Sequence, residues 1–530
     1  MKLSLLTPEQ VWDKLVAYRS NYYDGMSALY SGDHDELRRT GKCDTFWKRK
    51  NKCPIHIPIA SDIASMSANF LFSHEPTYTI VHDGVEEAEG AQQQRLEKII
   101  AHNCIANKLN EAAESCAAMG DIYLKLRWNK ESTCPLLDVV QPDMSWPEYL
   151  FGELRSVHFF TEVIADPDKD HYIRIYECYT KGKIIMAMYE GRKDALGVKM
   201  KDSVLKELGY QPEIKTPIDD LLAVHIANVR PNRRFRSAMH GRSDLDGLRD
   251  MCDSLDEAFS SWMRDIRLAK AKLIIPAEYL RKRKTAFASS MDETIGASGM
   301  YEFDADVEAY VAMDINTDTA GGNAITPSQF EIRADEHLKT CSELVREILQ
   351  FAGYSPQSFG INIEGAAASG TALSIRERKS AVTKNKKITY WQAPLEKILT
   401  AMVRVDYALY PNAGSDGVDS VAISFADSMG ADTSTVASSI EILNRAQAAS
   451  TITKIRMVHP DWSEKQVAEE VDRVKEEYAL SISSPDMGLG DYDDPSRVQP
   501  KDDAGDEPED PDNQDNPDYK KVEGGEGGEE

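Results

Sequence analysis

The most regular pattern in the chain runs from Gly241 to Pro276. Apolar side chains fall at Leu245, Leu248, Cys252, Leu255, Phe259, Trp262, Ile266, Ala269 and Leu273, three and four residues apart in turn. That spacing is one face of a helix against a partner. Ser243 stands where an N-cap belongs, Asp244, Asp246 and Asp250 follow, and Arg264, Arg267, Lys270 and Lys272 crowd the far end. Acid first and base last is the order a helix dipole favours, and Pro276 ends the run. Such a helix spans roughly 50 Å at about 1.5 Å per residue, which suits a strut in an assembly as well as a long core helix. A second stripe, Ala334, Leu338, Cys341, Val345, Ile348 and Ala352, follows a capping box at Thr326-Pro327-Ser328-Gln329 and stops at Gly353. The two stripes predict an antiparallel helix pair with a small module at its tip.

Around this pair the pattern changes twice. Residues 8–31 read as an aromatic-rich helix, 59–72 as an apolar helix, and 92–119 as one amphipathic helix closed by Gly120. Strand-like runs follow at 122–128, 136–140, 156–164, 172–180 and 184–189, with Lys181-Gly182-Lys183 as a hairpin turn. Helix followed by meander predicts an α+β domain over roughly 1–230. Beyond Gly353, the stretch Gly360 to Gly370 is small and almost uncharged. Ala372 to Tyr410 reads as one long helix, basic at first and apolar after Trp391, with Pro394 expected to kink it. Residues 434–480 read as short helices, one with a capping box at Ser463-Glu464-Lys465-Gln466.

Charge narrows the function. The net charge is −26, and residues 486–530 carry 17 acidic and 4 basic side chains, a composition expected to be disordered. A sequence-reading DNA binder usually shows a basic domain, and none stands out. The eight cysteines form no C-x-x-C pair and read as reduced, mostly buried thiols of a cytosolic protein. Met1 to Thr7 is too short for a signal peptide, and no apolar run reaches membrane-spanning length, so a soluble protein made in the cytoplasm is expected.

Candidate chemistry is sparse. No phosphate-binding glycine loop, H-E-x-x-H or G-x-S-x-G occurs, and the eleven histidines show no metal-ligand spacing with cysteine. Asp314 to Asp318 opens like a calcium loop, but Thr319 stands where glycine is needed and Ile325 where glutamate is. Arg230, Arg233, Arg234, Arg236 and Arg242 offer either phosphate contacts or inter-subunit salt bridges to the acidic residues that follow. These observations predict no catalytic residue, no metal and no cofactor.

The order of parts resembles the portal proteins of tailed bacteriophages, the siphophage-type head–tail connector family. The matching stretches are Ile55 to Tyr78, Gly120 to Trp128, Asn228 to Leu245, Ala368-Ser369-Gly370-Thr371-Ala372-Leu373 and Thr451 to Glu470. The long acidic tail is not required by the family pattern.

The resemblance implies a ring-forming α+β fold with an α-helical stem and crown, an α+β wing and a small αβ clip. Mapped onto this chain, 1–240 is the wing, 241–275 the first stem helix, 276–326 the clip and 327–353 the second stem helix. Residues 354–371 are the tunnel loop, 372–425 the kinked channel-to-wing helix with the wing return, 426–485 the crown and 486–530 the acidic tail. It further implies stem packing through Leu248, Leu255, Phe259, Trp262, Ile266, Leu338, Val345 and Ile348. Asn362, Glu364, Gly365, Ala366, Ala367, Ala368 and Ser369 would face DNA, and Arg281, Lys282, Arg283 and Lys284 would meet the motor and adaptors. The implied partners are copies of the chain (normally twelve), double-stranded DNA, the terminase large subunit, head–tail adaptors, and major capsid and scaffolding proteins, at one capsid vertex of the virion. Two other readings fit the bare pattern: a non-viral ring or scaffold protein, and a metal-dependent nuclease with an embedded helical domain.

Overall fold

Helix α1 (Pro8–Tyr18) starts on a complete capping box between Thr7 and Gln10. A π turn over Arg19–Tyr23 leads into α2 (Asp24–Ser31), and Tyr18, Tyr22 and Tyr23 are all buried. These elements belong to a computed structural model that describes residues 5–33, 55–82, 85–87, 90–129, 131–236, 238–269, 272–276, 310–313, 326–328, 332–361, 370–410, 420–425, 433–459, 462 and 464–482.

Helix α3 (Ile59–Phe72) is followed by two helices where one was expected, α4 (Ala91–Asn103) and α5 (Ile105–Met119). The break is Cys104, at φ +50°. Its cause is Asn103, whose amide donates to the Pro135 carbonyl at 3.0 Å and accepts the Leu137 N–H at 2.9 Å. That side chain ties the helix end to a strand and outcompetes helical continuation. Cys104 is also the one exposed thiol among the six described cysteines.

Three antiparallel sheets form the body. β1 (Thr77–His82) lies between β2 (Val85–Glu87) and β15 (Ser420–Ser424), which returns from far along the chain. β3 (Asp121–Arg127) lies between β4 (Leu136–Val140) and β11 (Ala223–Ala227). The largest sheet runs β5 (Ser145–Leu150), β6 (Glu153–Asp166), β7 (His171–Thr180), β8 (Lys183–Gly191) and β10 (Glu213–Lys215), with β9 (Val198–Lys199) on β8. The short helix α6 (Asp202–Glu207) lies between β9 and β10 in the chain.

The central long helix begins later than the stripe suggested. Residues 244–247 are turn, Gly247 has φ +86°, and α7 spans Arg249–Leu268. Ser243 does not cap it: its hydroxyl donates to the Ala118 carbonyl at 2.5 Å and accepts the Leu245 N–H. The helix also stops short of Leu273, because Lys272–Pro276 is a strand, β12. It pairs in parallel with β13 (Tyr310–Met313) and antiparallel with β14 (Thr326–Ser328). Thr326 to Ser328 of the expected capping box are therefore an edge strand, a place where a proline such as Pro327 is tolerated, and Gln329 lies outside the described residues. The second long helix, α8 (Ala334–Ala352), starts eight residues after Thr326 and ends at Gly353, φ +102°.

Helix α9 (Gly370–Leu409) runs through Pro394 and lays Trp391, Leu395, Ile398, Leu399, Met402 and Val405 into the core that β3 and β11 share. α10 (Thr433–Arg445) and α11 (Thr451–Val458) follow, the latter capped by Ser450. The chain divides into two units, Met1–Asp461 and Trp462–Glu530. The second contains helix α12 (Glu464–Ile482); Ser463, the head of the expected capping box, lies outside the described residues. No helix of the described residues is long and apolar enough to cross a membrane.

Candidate functional site

The predicted helix pair is present, and it is antiparallel. At one end Asp265 of α7 accepts from Arg333 at 2.8 Å and from His337 of α8 at 2.9 Å. Trp262 stacks on His337, with centroids 6.2 Å apart and 8° between planes, and meets Phe259 edge-on. Of the eight packing residues expected here, Leu248, Leu255 and Ile348 are buried, while Phe259, Trp262 and Val345 are partly buried. Ile266 is 39% exposed and Leu338 53% exposed, so neither is fully covered within the subunit. Arg281 to Lys284, residues 362–369 and the calcium-like stretch 314–325 lie outside the described residues.

At its other end the pair is anchored by a buried ionic junction. Asp244, just before α7, accepts hydrogen bonds from Lys387 of α9, from Tyr354 at 2.8 Å and from Asn228 at 2.8 Å. Lys387 also donates to Ser67 of α3 at 2.6 Å. A buried ion pair is stable only when such extra hydrogen bonds accompany it. Lys384 and Lys387 belong to the part of the helix that the sequence marks as basic. Both are buried, on the stripe Ser380, Lys384, Lys387, Trp391. Their four-three-four spacing was the signal available in the sequence.

A second polar hub went unseen. Asp121, fully buried, accepts four hydrogen bonds. The His225 Nε2–H (2.8 Å) and the Gly241 N–H (2.7 Å) reach Oδ1, and the Tyr23 hydroxyl (2.7 Å) and His240 Nδ1–H (3.2 Å) reach Oδ2. Gly241 is needed here because a Cβ would lie 2.1 Å from the Gly120 carbonyl oxygen. Burial alone would raise the Asp121 pKa, but the hydrogen bonds it accepts from His225 and His240 hold it well below the usual carboxylate range. Burial pushes His225 down, so it is neutral at neutral pH, and with Nε2–H committed to Asp121 its Nδ1 accepts from Tyr149 at 2.8 Å. Asp121, His225 and His240 have the donor types of a metal centre and lie close enough together. Both carboxylate oxygens are already saturated by protons at hydrogen-bond distances, so the geometry is that of a structural hub. No sequence spacing could have shown it, since its members, from Tyr23 to Gly241, are up to 218 residues apart.

The Asp121–His225–Tyr149 chain ends at the wall of an open cavity of about 940 Å³, lined among others by Lys181, Arg230, Pro394 and Lys397. Burial raises the Tyr149 phenol, although Arg230 opposes it, so the relay supplies no activated nucleophile. In the arginine cluster, Arg230 stacks over Tyr149 at 5.7 Å and Arg234 donates to the Asn21 carbonyl at 2.7 Å. Those two serve contacts within the subunit; Arg233 and Arg236 are exposed.

The sequence profile of the family described as "Phage portal protein, SPP1 Gp6-like" matches residues 15–482. No curated protein matches the chain. Among solved structures, a chain from the "Neck of native GTA particle computed with C12 symmetry" is 11% identical with a TM-score of 0.40, covering 76% of this chain and 90% of its own. One from the "Virion of native gene transfer agent (GTA) particle" is 11% identical with a TM-score of 0.36, covering 81% and 98%. One from the "Neck of empty GTA particle computed with C6 symmetry" is 13% identical with a TM-score of 0.36, covering 80% and 93%.

Proposed function

The chain belongs to the SPP1 Gp6-like family of phage portal proteins, and we propose that copies of it, normally twelve, close into a ring that carries double-stranded DNA through one capsid vertex. The observation that supports this reading is the family match across residues 15–482. In this assignment α7 and α8 are the stem, 276–326 the clip, 354–371 the tunnel loop and 426–485 the crown. The ring is a passive conduit: the ATP-driven terminase that docks on it supplies the energy, and head–tail adaptors take its place after packaging. Major capsid and scaffolding proteins surround it. A conduit works best without tight phosphate contacts, which would stall sliding DNA, and the acidic balance of the chain agrees with that. Ile266 and Leu338, exposed on the helix pair, are apolar positions that a neighbouring copy would cover.

Electron microscopy of the purified full chain tests the reading. The expected image is a closed ring with a central hole, formed without nucleotide. A protein that stays monomeric at micromolar concentration overturns it.

A further inference from the structure

The two ends of β6 carry features that the subunit itself does not use. At the start of the strand, Leu150-Phe151-Gly152-Glu153 is a two-residue hairpin loop in which Phe151 has φ +52° and Gly152 φ +85°. Two positive φ values mark the turn that normally takes Asn-Gly. A phenylalanine there is conformationally unfavourable, and this one is 98% exposed. It sits on the rim of the open cavity, beside Leu154, Pro394 and Lys397. Lys397 is exposed and has no polar partner among the described residues.

At the other end, about 40 Å away along the strand at about 3.3 Å per residue, the β6–β7 hairpin carries the complementary features. A bulge between Glu162 and Ile164 interrupts the ladder, and Val163 and Ile164 are each nearly half exposed. The acids around the tip are mostly engaged: Glu162 with Arg174, Asp166 with Lys169, Asp170 with the Lys193 N–H. Asp168, at the apex, is exposed and has no partner among the described residues.

We propose that the β6–β7 hairpin of one subunit docks into the cavity at the opposite end of β6 in the next subunit. Val163 and Ile164 then pack on Phe151, and Asp168 pairs with Lys397. The inference rests on the ring reading and adds the surface that closes the ring around the wing. A ring of identical copies needs two different, complementary patches on each subunit, a head-to-tail contact. Here one apolar knob with a free cation lies at one end of a strand, and two exposed apolar residues with a free anion lie at the other. The unfavourable Phe151 conformation has no compensation inside the subunit, and burial against a neighbour supplies one.

The test mixes two full-length variants, one carrying Asp168→Cys and the other Lys397→Cys, lets rings assemble, and oxidises them. Because each chain has only one introduced thiol, a bond between the two sites must join different copies. The expected product is a disulfide dimer formed only in the mixture and only in assembled rings. Intact rings without that product overturn the docking while leaving the portal reading in place; chains that never leave the monomer overturn both. Phe151→Asn gives a second readout that does not depend on thiols. It restores the favoured Asn-Gly turn, so the monomer should melt no lower than the parent while the fraction in rings falls several-fold. Unchanged ring formation in Phe151→Asn also overturns the proposal.

Discussion

Lys387 of α9 is hydrogen-bonded to Asp244, and the two side chains are only 1% and 6% exposed. Asp244 leads into α7, and Tyr354, which shares the same carboxylate, follows α8. One buried pair therefore joins the roots of both long helices to α9. The three elements thus share a single carboxylate.

Removing one partner of such a pair leaves the other charge buried. Lys387→Met is expected to cost about 3–5 kcal/mol, read as a lower urea midpoint with an unchanged slope. Adding Asp244→Asn should recover part of that loss, since the amide removes the orphaned charge. A loss below about 1 kcal/mol in the single variant would mean that the junction is open to water.

Asp121 should respond to both mutation and pH. Asp121→Asn places an NH₂ against some of four donors and is expected to cost on the order of 3 kcal/mol. The Asp121 carboxyl is lowered in the fold from its ordinary value of 3.8. A lowered acid contributes stability that is fully present above the unfolded value and is lost as pH falls through the folded one. Urea midpoints should therefore fall below about pH 4 in the parent and fall less steeply in Asp121→Asn.

The opposite sign is expected at His56. Its hydrogen bond to Asp256, at 2.8 Å, raises its pKa above 6.5 despite partial burial. Asp256 also accepts the Ile57 N–H, so the pair clamps the start of the α3 segment onto α7. A raised base contributes stability that is complete below the unfolded value and is lost as pH climbs through the folded one. Melting temperature should therefore decline between about pH 6.5 and the alkaline range, and His56→Gln should flatten that decline. A parallel slope in the variant would assign the pH dependence to another group.

Local pattern and long-range contact divide what could be read from the chain. The α7 and α8 stripes, the strands of the meander and the Gly353 cap follow from periodicity and turn chemistry, and each is present. The start of α7, the break at Cys104 and the strand at Thr326 do not, because Ser243, Asn103 and β12 bring in partners more than 30 residues away. Sequence propensity is weak against such contacts. The Asp121 hub is the extreme case: Tyr23, Asp121, His225 and the His240–Gly241 pair come from four separate segments. Lys387 was the recoverable miss, since a lysine on an apolar stripe implies a buried partner.

The division between packing inside a subunit and packing between subunits can be tested on the helix pair. Leu255 is 1% exposed and packs with Cys252 and Ile348, so Leu255→Asp buries an unpaired charge and is expected to cost about 3–5 kcal/mol. The variant should lose the folded subunit along with any ring. Leu338, on α8, is 53% exposed, and Leu338→Ser should change subunit stability by no more than about 0.5 kcal/mol. If a neighbouring copy covers it, the same change should still lower the fraction assembled, measured by native mass spectrometry at fixed concentration. Rings that form as readily with Leu338→Ser as without it would show that the exposed face of α8 looks onto solvent.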